Sequence, residues 1–545
     1  MKNVKYLFAT IVLGICLTSC GDSFLTTPPE GEYLSSEQFG ELPNNLQGSI
    51  SGIYSQMYAY GGEHDYFGHR AIDMYGDIQS GDMAMKTSNY GWFEAYERGY
   101  FYAYARSYMW GYYYGILSSV NASIKAIEGN IPTIIESIGS TGTIGSNIVL
   151  QGYYYGQILA MRGYVFSNLL RYYCDPMDQL QNPKDQEKSI PMYTEENIDV
   201  DLSGAKRATV DSVYKQIYKD LSTAIAVLDF YGPKNTRGSK LEIDADVARL
   251  LLAYALLNYC DDDVVFAEEK TASKLALDLA DAAIKNGKYK MLKKEDLLTT
   301  GFMDVTAANW MWGEDVTVDN TTALASFFGQ VDIHTYSYAC AGDTKAIDAN
   351  LYKEITNKKW DKRAKWFRSG SDKSFPYCPD GKFYCPKTKH TTDLDSVDGD
   401  WLCDHVYMRI ELAYLIAAEA AWRIGEEATS VQYLRELCNE RVIDGKESDL
   451  ETWLSGLSSD ALKDALIYNW RVEMWGEGYG LQTLRRLSKT VTLGSNHLSR
   501  AGQTIDMSNK NDRISCQCEI PTSESTYNPN LVRRRAAIPT TILPR

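Results

Sequence analysis

Three successive segments, Thr209–Leu228, Asp244–Tyr259 and Ala272–Asn286, repeat apolar residues at three- and four-residue steps and are separated only by short loops. Alanines 253, 255, 276, 280, 282 and 283 stand where such helices would cross. Helices built this way must bury one face, and short connections force neighbours to lie antiparallel. The punctuation agrees, since Lys285-Asn286-Gly287 reads as a basic last turn followed by a left-handed cap. The same periodicity predicts helices at Tyr100–Ile127, Tyr153–Tyr173, Val406–Arg423, Thr429–Arg441 and Asp460–Trp475. Another starts near Leu46 and carries Ile50, Ile53, Tyr54 and Met57. Gly129-Asn130 is expected to cap the 100–127 helix, and Asp460 to be an N-cap. The expected fold class is all-α, mainly helical.

These hairpins resemble tetratricopeptide units, whose period is 34 residues, although the spacing here is irregular. Residues 60–92, 138–146 and 297–405 break the pattern. The first and last are rich in Gly, Asp and aromatics, so a helical-repeat scaffold with a loop-rich, irregular, ligand-binding half is expected. Loops on a rigid scaffold are where binding residues concentrate.

The N-terminus constrains the compartment. Lys2 and Lys5 precede a short apolar run that ends at Leu17-Thr18-Ser19-Cys20. That is a lipoprotein signal peptide, too short to span a bilayer. Residues 1–19 are expected to be removed and Cys20 to be the lipid attachment site, with palmitate among the acyl chains. Residues 20–44 read as an extended tether broken by Pro28-Pro29, and 45–545 as a single domain. A net charge of −16 excludes a nucleic-acid surface, which needs basic patches.

With 40 Tyr and 11 Trp the chain is rich in amphipathic rings. Sugar C–H faces pack on such rings, while hydroxyls need forked polar partners. Two segments fit. One is Asn89-Tyr90-Gly91-Trp92 with Asp82 upstream. The other is Asn309-Trp310-Met311-Trp312 with Tyr336 and Tyr338 downstream. Trp110, Trp422, Trp470 and Trp475 sit at core spacing instead. Six His, no Cys-x-x-Cys pair and an acidic run, Asp261-Asp262-Asp263, without the spacing of a calcium loop argue for no metal and no cofactor. No Gly-x-Ser-x-Gly elbow or Cys/His nucleophile stands out, so no enzyme is expected. Of 11 cysteines, Cys16 leaves with the signal and Cys20 is lipidated, so the remainder is odd and at least one thiol is free.

In this order, several motifs resemble those of the SusD/RagB family of outer-membrane lipoproteins of Bacteroidetes. They are Phe24-Leu25 with Pro28-Pro29; Trp110, Tyr114 and Asn121; Arg162-Gly163-Tyr164 with Tyr173, Asp175 and Pro176; and Val213-Tyr214 with Asp220-Leu221 and Ala224. Further on come Asp361 and Arg363; Arg409, Glu411 and Ala418-Glu419-Ala420; Glu473, Glu477-Gly478, Leu484 and Arg486; and Ile520-Pro521, Glu524 and Asn528-Pro529. The sequence departs from the family pattern at Gly163, which replaces an alanine, and at Cys174, which replaces a glycine. It departs again at Asn469, Gly480 and Thr483, which replace an acidic residue, an arginine and an aspartate, so salt bridges are expected to be missing there. The resemblance implies four tetratricopeptide-like units, a lipid-anchored protein at the cell surface of the outer membrane and a glycan ligand, with a peptide ligand as the alternative. It also implies a SusC-like TonB-dependent transporter as partner, and no chemistry.

Overall fold

The computed structural model describes residues 43–97, 103–174, 189–197, 204–235, 239–259, 265–267, 270–298, 301–384 and 401–531. The signal, Cys20, tether residues 20–42, Asp175, Pro176, Asp261–Asp263 and Cys385 lie outside them, while Pro43 and Asn44, expected in the tether, open the first helix. Helices dominate. They include α1 (Pro43–Gln56), α2 (His69–Ser80), α3 (Ala103–Ala126), α4 (Ser146–Tyr173), α5 (Val210–Tyr231), α6 (Ala245–Tyr259), α7 (Ala272–Asn286), α8 (Glu411–Arg423), α9 (Glu427–Asn439), α10 (Ser459–Glu473) and α11 (Gly480–Arg486), with shorter helices between some of them. Short strands β1 (Met83–Met85), β2 (Trp310–Glu314), β3 (Lys345–Ile347) and β4 (His405–Arg409) pair antiparallel as β1–β3 and β2–β4.

From α3 to α9 each helix packs on the next in the chain. This is the stacked-hairpin scaffold the periodicity predicts. Helices α7 and α8 are packing neighbours although residues 287–410 lie between them, so the irregular segment is inserted into an intact helical stack. Three glycines let α4 approach α5. A methyl group on Gly152 would stand 2.6 Å from Tyr231, on Gly156 2.7 Å from Leu228, and on Gly163 2.5 Å from Leu221. At Gly163 even an alanine methyl would force Leu221 to shift. Gly287 ends α7 in the left-handed conformation, φ 64°, and its N–H donates to the Ile284 carbonyl.

Several expectations need correction. Residues 60–92 are not all loop: 69–80 form α2, every residue of which is buried. Residues 405–409 form a strand before α8, because all five are buried and pair with β2. Gly129-Asn130 belongs to a 3-10 turn, not a cap. Asp460 falls in the first turn of α10, while Ser458 is the N-cap. Among the described residues, Cys340, Cys378, Cys438 and Cys516 are free thiols.

The motif residues turn out to be buried polar joints. In the scaffold, Arg162 forks onto Asp220 at 2.8 and 2.7 Å and also donates to Asn121 Oδ1 at 3.2 Å. Where insert meets scaffold, Glu473 receives Arg363 at 3.2 Å, Arg409 at 2.8 Å and Arg441 at 2.7 Å. Burial alone would raise this carboxyl, but the three guanidinium groups hold it well below its usual range. Glu477 takes Arg409 at 2.9 Å and Lys382 at 2.8 Å. Asn469 loses a charge relative to the family pattern but keeps the contact, its Oδ1 accepting from Arg363 Nη2 at 2.9 Å. At the arginine position, Gly480 has only its N–H to offer Asp77 Oδ1, at 3.3 Å, and Arg471 supplies the cation for Asp82 at 2.6 Å.

Candidate functional site

The pairing of β1 with β3 brings two distant loops together. Met85 stands opposite Lys345, so the loop leaving β1 and the loop entering β3 emerge from the same end of the two-stranded sheet. Asp343 clamps them. Its Oδ1 accepts from the N–H of Asn89 and, at 2.9 Å, from that of Tyr90. The Asn89 side chain donates to the Ala341 carbonyl at 2.8 Å. That approach requires Gly342: its φ is 104°, and a methyl group there would lie 2.0 Å from Asn89 Nδ2.

A third loop, between α1 and α2, adds Tyr60 and His64. Gln330 fixes it by donating to the His64 carbonyl at 2.8 Å, and accepts from Lys345 Nζ at 2.7 Å. The rings form a connected cluster. His64 stacks on Trp92 with centroids 5.3 Å apart and planes 17° from parallel. Tyr338 meets His64, Tyr90 and Trp92 edge-on at 5.5, 5.2 and 6.1 Å. Its hydroxyl is hydrogen-bonded to His64 Nδ1 at 2.8 Å. Tyr60 meets His64 edge-on at 5.9 Å.

Tyr60, Tyr90 and Tyr336 are 48%, 56% and 53% exposed, which makes three of the seven exposed large apolar side chains among the described residues neighbours on these loops. Trp92 and His64 are half-buried. Trp401 donates from Nε1 to the Tyr336 carbonyl at 3.0 Å, at the margin of the cluster. An exposed ring surface rimmed by Asn89 and tyrosine hydroxyls offers apolar faces and polar tips in one place.

The floor beneath carries charged groups. Lys345 is fully buried, and desolvation lowers its ammonium to about 8 despite Asp343 and Asp65 nearby. Burial likewise pushes Asp65 up to about 6. Lys345 reaches the His64 loop through Gln330.

The structure thus unites Asn89, Tyr90 and Trp92 with Tyr336 and Tyr338, which the sequence places in separate segments. It does not bring the remaining candidates to this surface. Asp82 is 1% exposed and paired with Arg471. Trp310 is 0% exposed and donates from Nε1 to the Gly301 carbonyl at 2.8 Å. Trp312 is 1% exposed, packed edge-on against Tyr54, Tyr164 and Tyr407. The physical reason is β2: Trp310-Met311-Trp312 is an uninterrupted apolar run, and such a run suits a strand buried on both faces. Tyr60 and His64 are the site residues that sequence reasoning missed. Tyr60-Gly61-Gly62-Glu63-His64 offers only a glycine-rich aromatic turn as a signal.

Among the described residues no group of three or more His, Cys, Asp or Glu is arranged to hold a metal. The residues at the platform suit stacking and hydrogen bonding.

Comparison with known proteins follows the same line. Residues 33–252 match the family model SusD-like_3, described as "Starch-binding associating with outer membrane". No curated protein matches the chain. Among solved structures, the fold is similar to that of a SusD-like carbohydrate binding protein from Bacteroides vulgatus, at TM-score 0.68 and 20% identity over 91% of this chain and 99% of that one. A SusD superfamily protein from Bacteroides thetaiotaomicron gives TM-score 0.68 and 18% identity over 91% and 100%. Another from Bacteroides vulgatus gives 0.70 and 18% over 90% and 98%. Over residues 33–252 the chain is thus similar to the SusD-like family, and over about nine-tenths of its length it has the fold of SusD superfamily structures.

Proposed function

We propose that this protein is a non-catalytic, lipid-anchored glycan-binding protein of the outer membrane's outer face, held there through Cys20. The observation that carries the reading is the aromatic platform: Tyr60, His64, Tyr90, Trp92 and Tyr338 in mutual ring contact, beside Tyr336. Sugar rings pack their C–H faces on such surfaces, and Asn89 with the phenolic tips supplies hydroxyl partners. The match to a model described as starch-binding and outer-membrane-associated supports the class of ligand and the location. The lipoprotein signal supports the anchor. We further propose that the protein hands its oligosaccharide to a SusC-like TonB-dependent transporter in the same membrane.

Affinity electrophoresis through gels containing a panel of polysaccharides tests the ligand class. Retardation by at least one glycan is expected. Failure across the panel, with binding to peptides instead, would contradict it. Co-purification of a TonB-dependent barrel with the native lipoprotein tests the partner, and its absence from detergent extracts would contradict the hand-over.

A further inference from the structure

A cavity of about 30 Å³ lies where the helical stack meets the inserted half. Its wall includes Arg171 of α4, Tyr254 of α6, Trp312 of β2 and Tyr407 of β4. These four residues share a further property. Arg171 Nε, Tyr254 Oη, Trp312 Nε1 and Tyr407 Oη are each buried with no hydrogen-bond partner among the described residues. Buried polar atoms are nearly always bonded, because an orphaned one costs its full desolvation. Four orphans from four separate elements around one small cavity call for a shared partner.

The chemistry of the wall narrows what that partner is. The volume is too small for a sugar ring, but a water needs only about 10–15 Å³ and two to four polar neighbours. Two of the orphans, Arg171 Nε and Trp312 Nε1, are obligate donors, which disfavours a metal cation. The carboxyl groups of Asp73 and Glu477 also line the cavity and disfavour an anion. Water accepts from the two N–H groups, exchanges hydrogen bonds with the two phenols and donates to a carboxylate.

We propose that this cavity binds ordered water, about two molecules, as the hydrogen-bonding joint between α4 and α6 on one side and β2 and β4 on the other. The site is separate from the aromatic platform.

The test is a crystal structure of the protein grown with bromide present. The expected result is one or two water-sized peaks in the cavity within hydrogen-bond distance of at least two of the four atoms, without anomalous signal. An empty cavity, or an anomalous bromide peak, would overturn the proposal. Tyr407→Phe gives a second reading in solution. If the hydroxyl bonds to water, its loss lowers Tm. A Tm that is unchanged or raised means that the hydroxyl is unpartnered, and overturns the assignment.

Discussion

His64 lies flat against Trp92, centroids 5.3 Å apart and planes 17° from parallel, while its Nδ1 is bonded to the Tyr338 hydroxyl at 2.8 Å. One side chain thus sets the attitude of two rings that come from loops more than two hundred residues apart in sequence. His64→Ala should weaken glycan binding, and His64→Phe should restore part of it by keeping the stack. Isothermal titration calorimetry decides. A loss of about tenfold for alanine corresponds to ~1.4 kcal/mol. Equal affinities for all three proteins would refute the role.

Asp343 carries the second prediction. Its Oδ1 receives the N–H groups of Asn89 and Tyr90, and the residue is 0% exposed. Asp343→Ala removes two part-buried hydrogen bonds, a cost of about 0.5–1.5 kcal/mol each. Asp343→Asn keeps one acceptor oxygen and should be milder in both stability and binding. Amide exchange at Asn89 and Tyr90 should quicken in the alanine variant, and unchanged protection there would count against the clamp.

The buried ion network separates structural charge from surface charge. Glu473 is shared by Arg363, Arg409 and Arg441, all fully buried. Glu473→Gln should cost about 3–5 kcal/mol, since it leaves buried cations uncompensated. Glu451 pairs with Arg435 at the exposed end of the molecule, at 3.2 Å. Glu451→Gln should cost less than about 1 kcal/mol. Chemical denaturation of both variants should show this gap, and similar losses would disprove the assignment.

Stability should also depend on pH through Asp77. Burial, then the nearby Asp82 charge, pushes its carboxyl up to about 8, and burial pushes Asp73 to about 7. In the unfolded chain both ionise near ~4. A group raised on folding contributes stability that is fully present below the unfolded value and is lost as pH rises through the folded one. Tm should therefore fall between about pH 5 and about pH 8, and Asp77→Asn should flatten that fall. Glu473 and Glu477 are lowered on folding and act the other way, so their contribution disappears only in acid. An unflattened profile in Asp77→Asn would contradict the placement of the proton.

The helical stack was legible because its signal is local: 3.6-residue periodicity, alanines at crossings and a glycine cap at 287. The rest depends on pairing across long separations. Helix α2 carries His69, Arg70, Asp73 and Asp77, polar residues that suggest a surface loop, yet all of them are buried against the rest of the protein. Trp310 and Trp312 look like a recognition loop until β4 covers them. Of the site, the aromatic segment 89–92 was readable from composition. Its union with Tyr336 and Tyr338 follows from the Met85–Lys345 pairing, and no spacing in the sequence encodes that. His64 carries no motif. Its importance arises only from the two rings it touches.

The central claim is that the ring platform binds glycan, and Trp92→Ala tests it most directly. On the same polysaccharide gels, the wild-type protein should be retarded and the variant should run with the unbound standard. Truncating a central aromatic anchor costs about 2 kcal/mol or more, roughly a thirtyfold loss. Circular dichroism should show an unchanged helical fold. Retardation of Trp92→Ala equal to that of the wild type would place the ligand elsewhere and contradict the account.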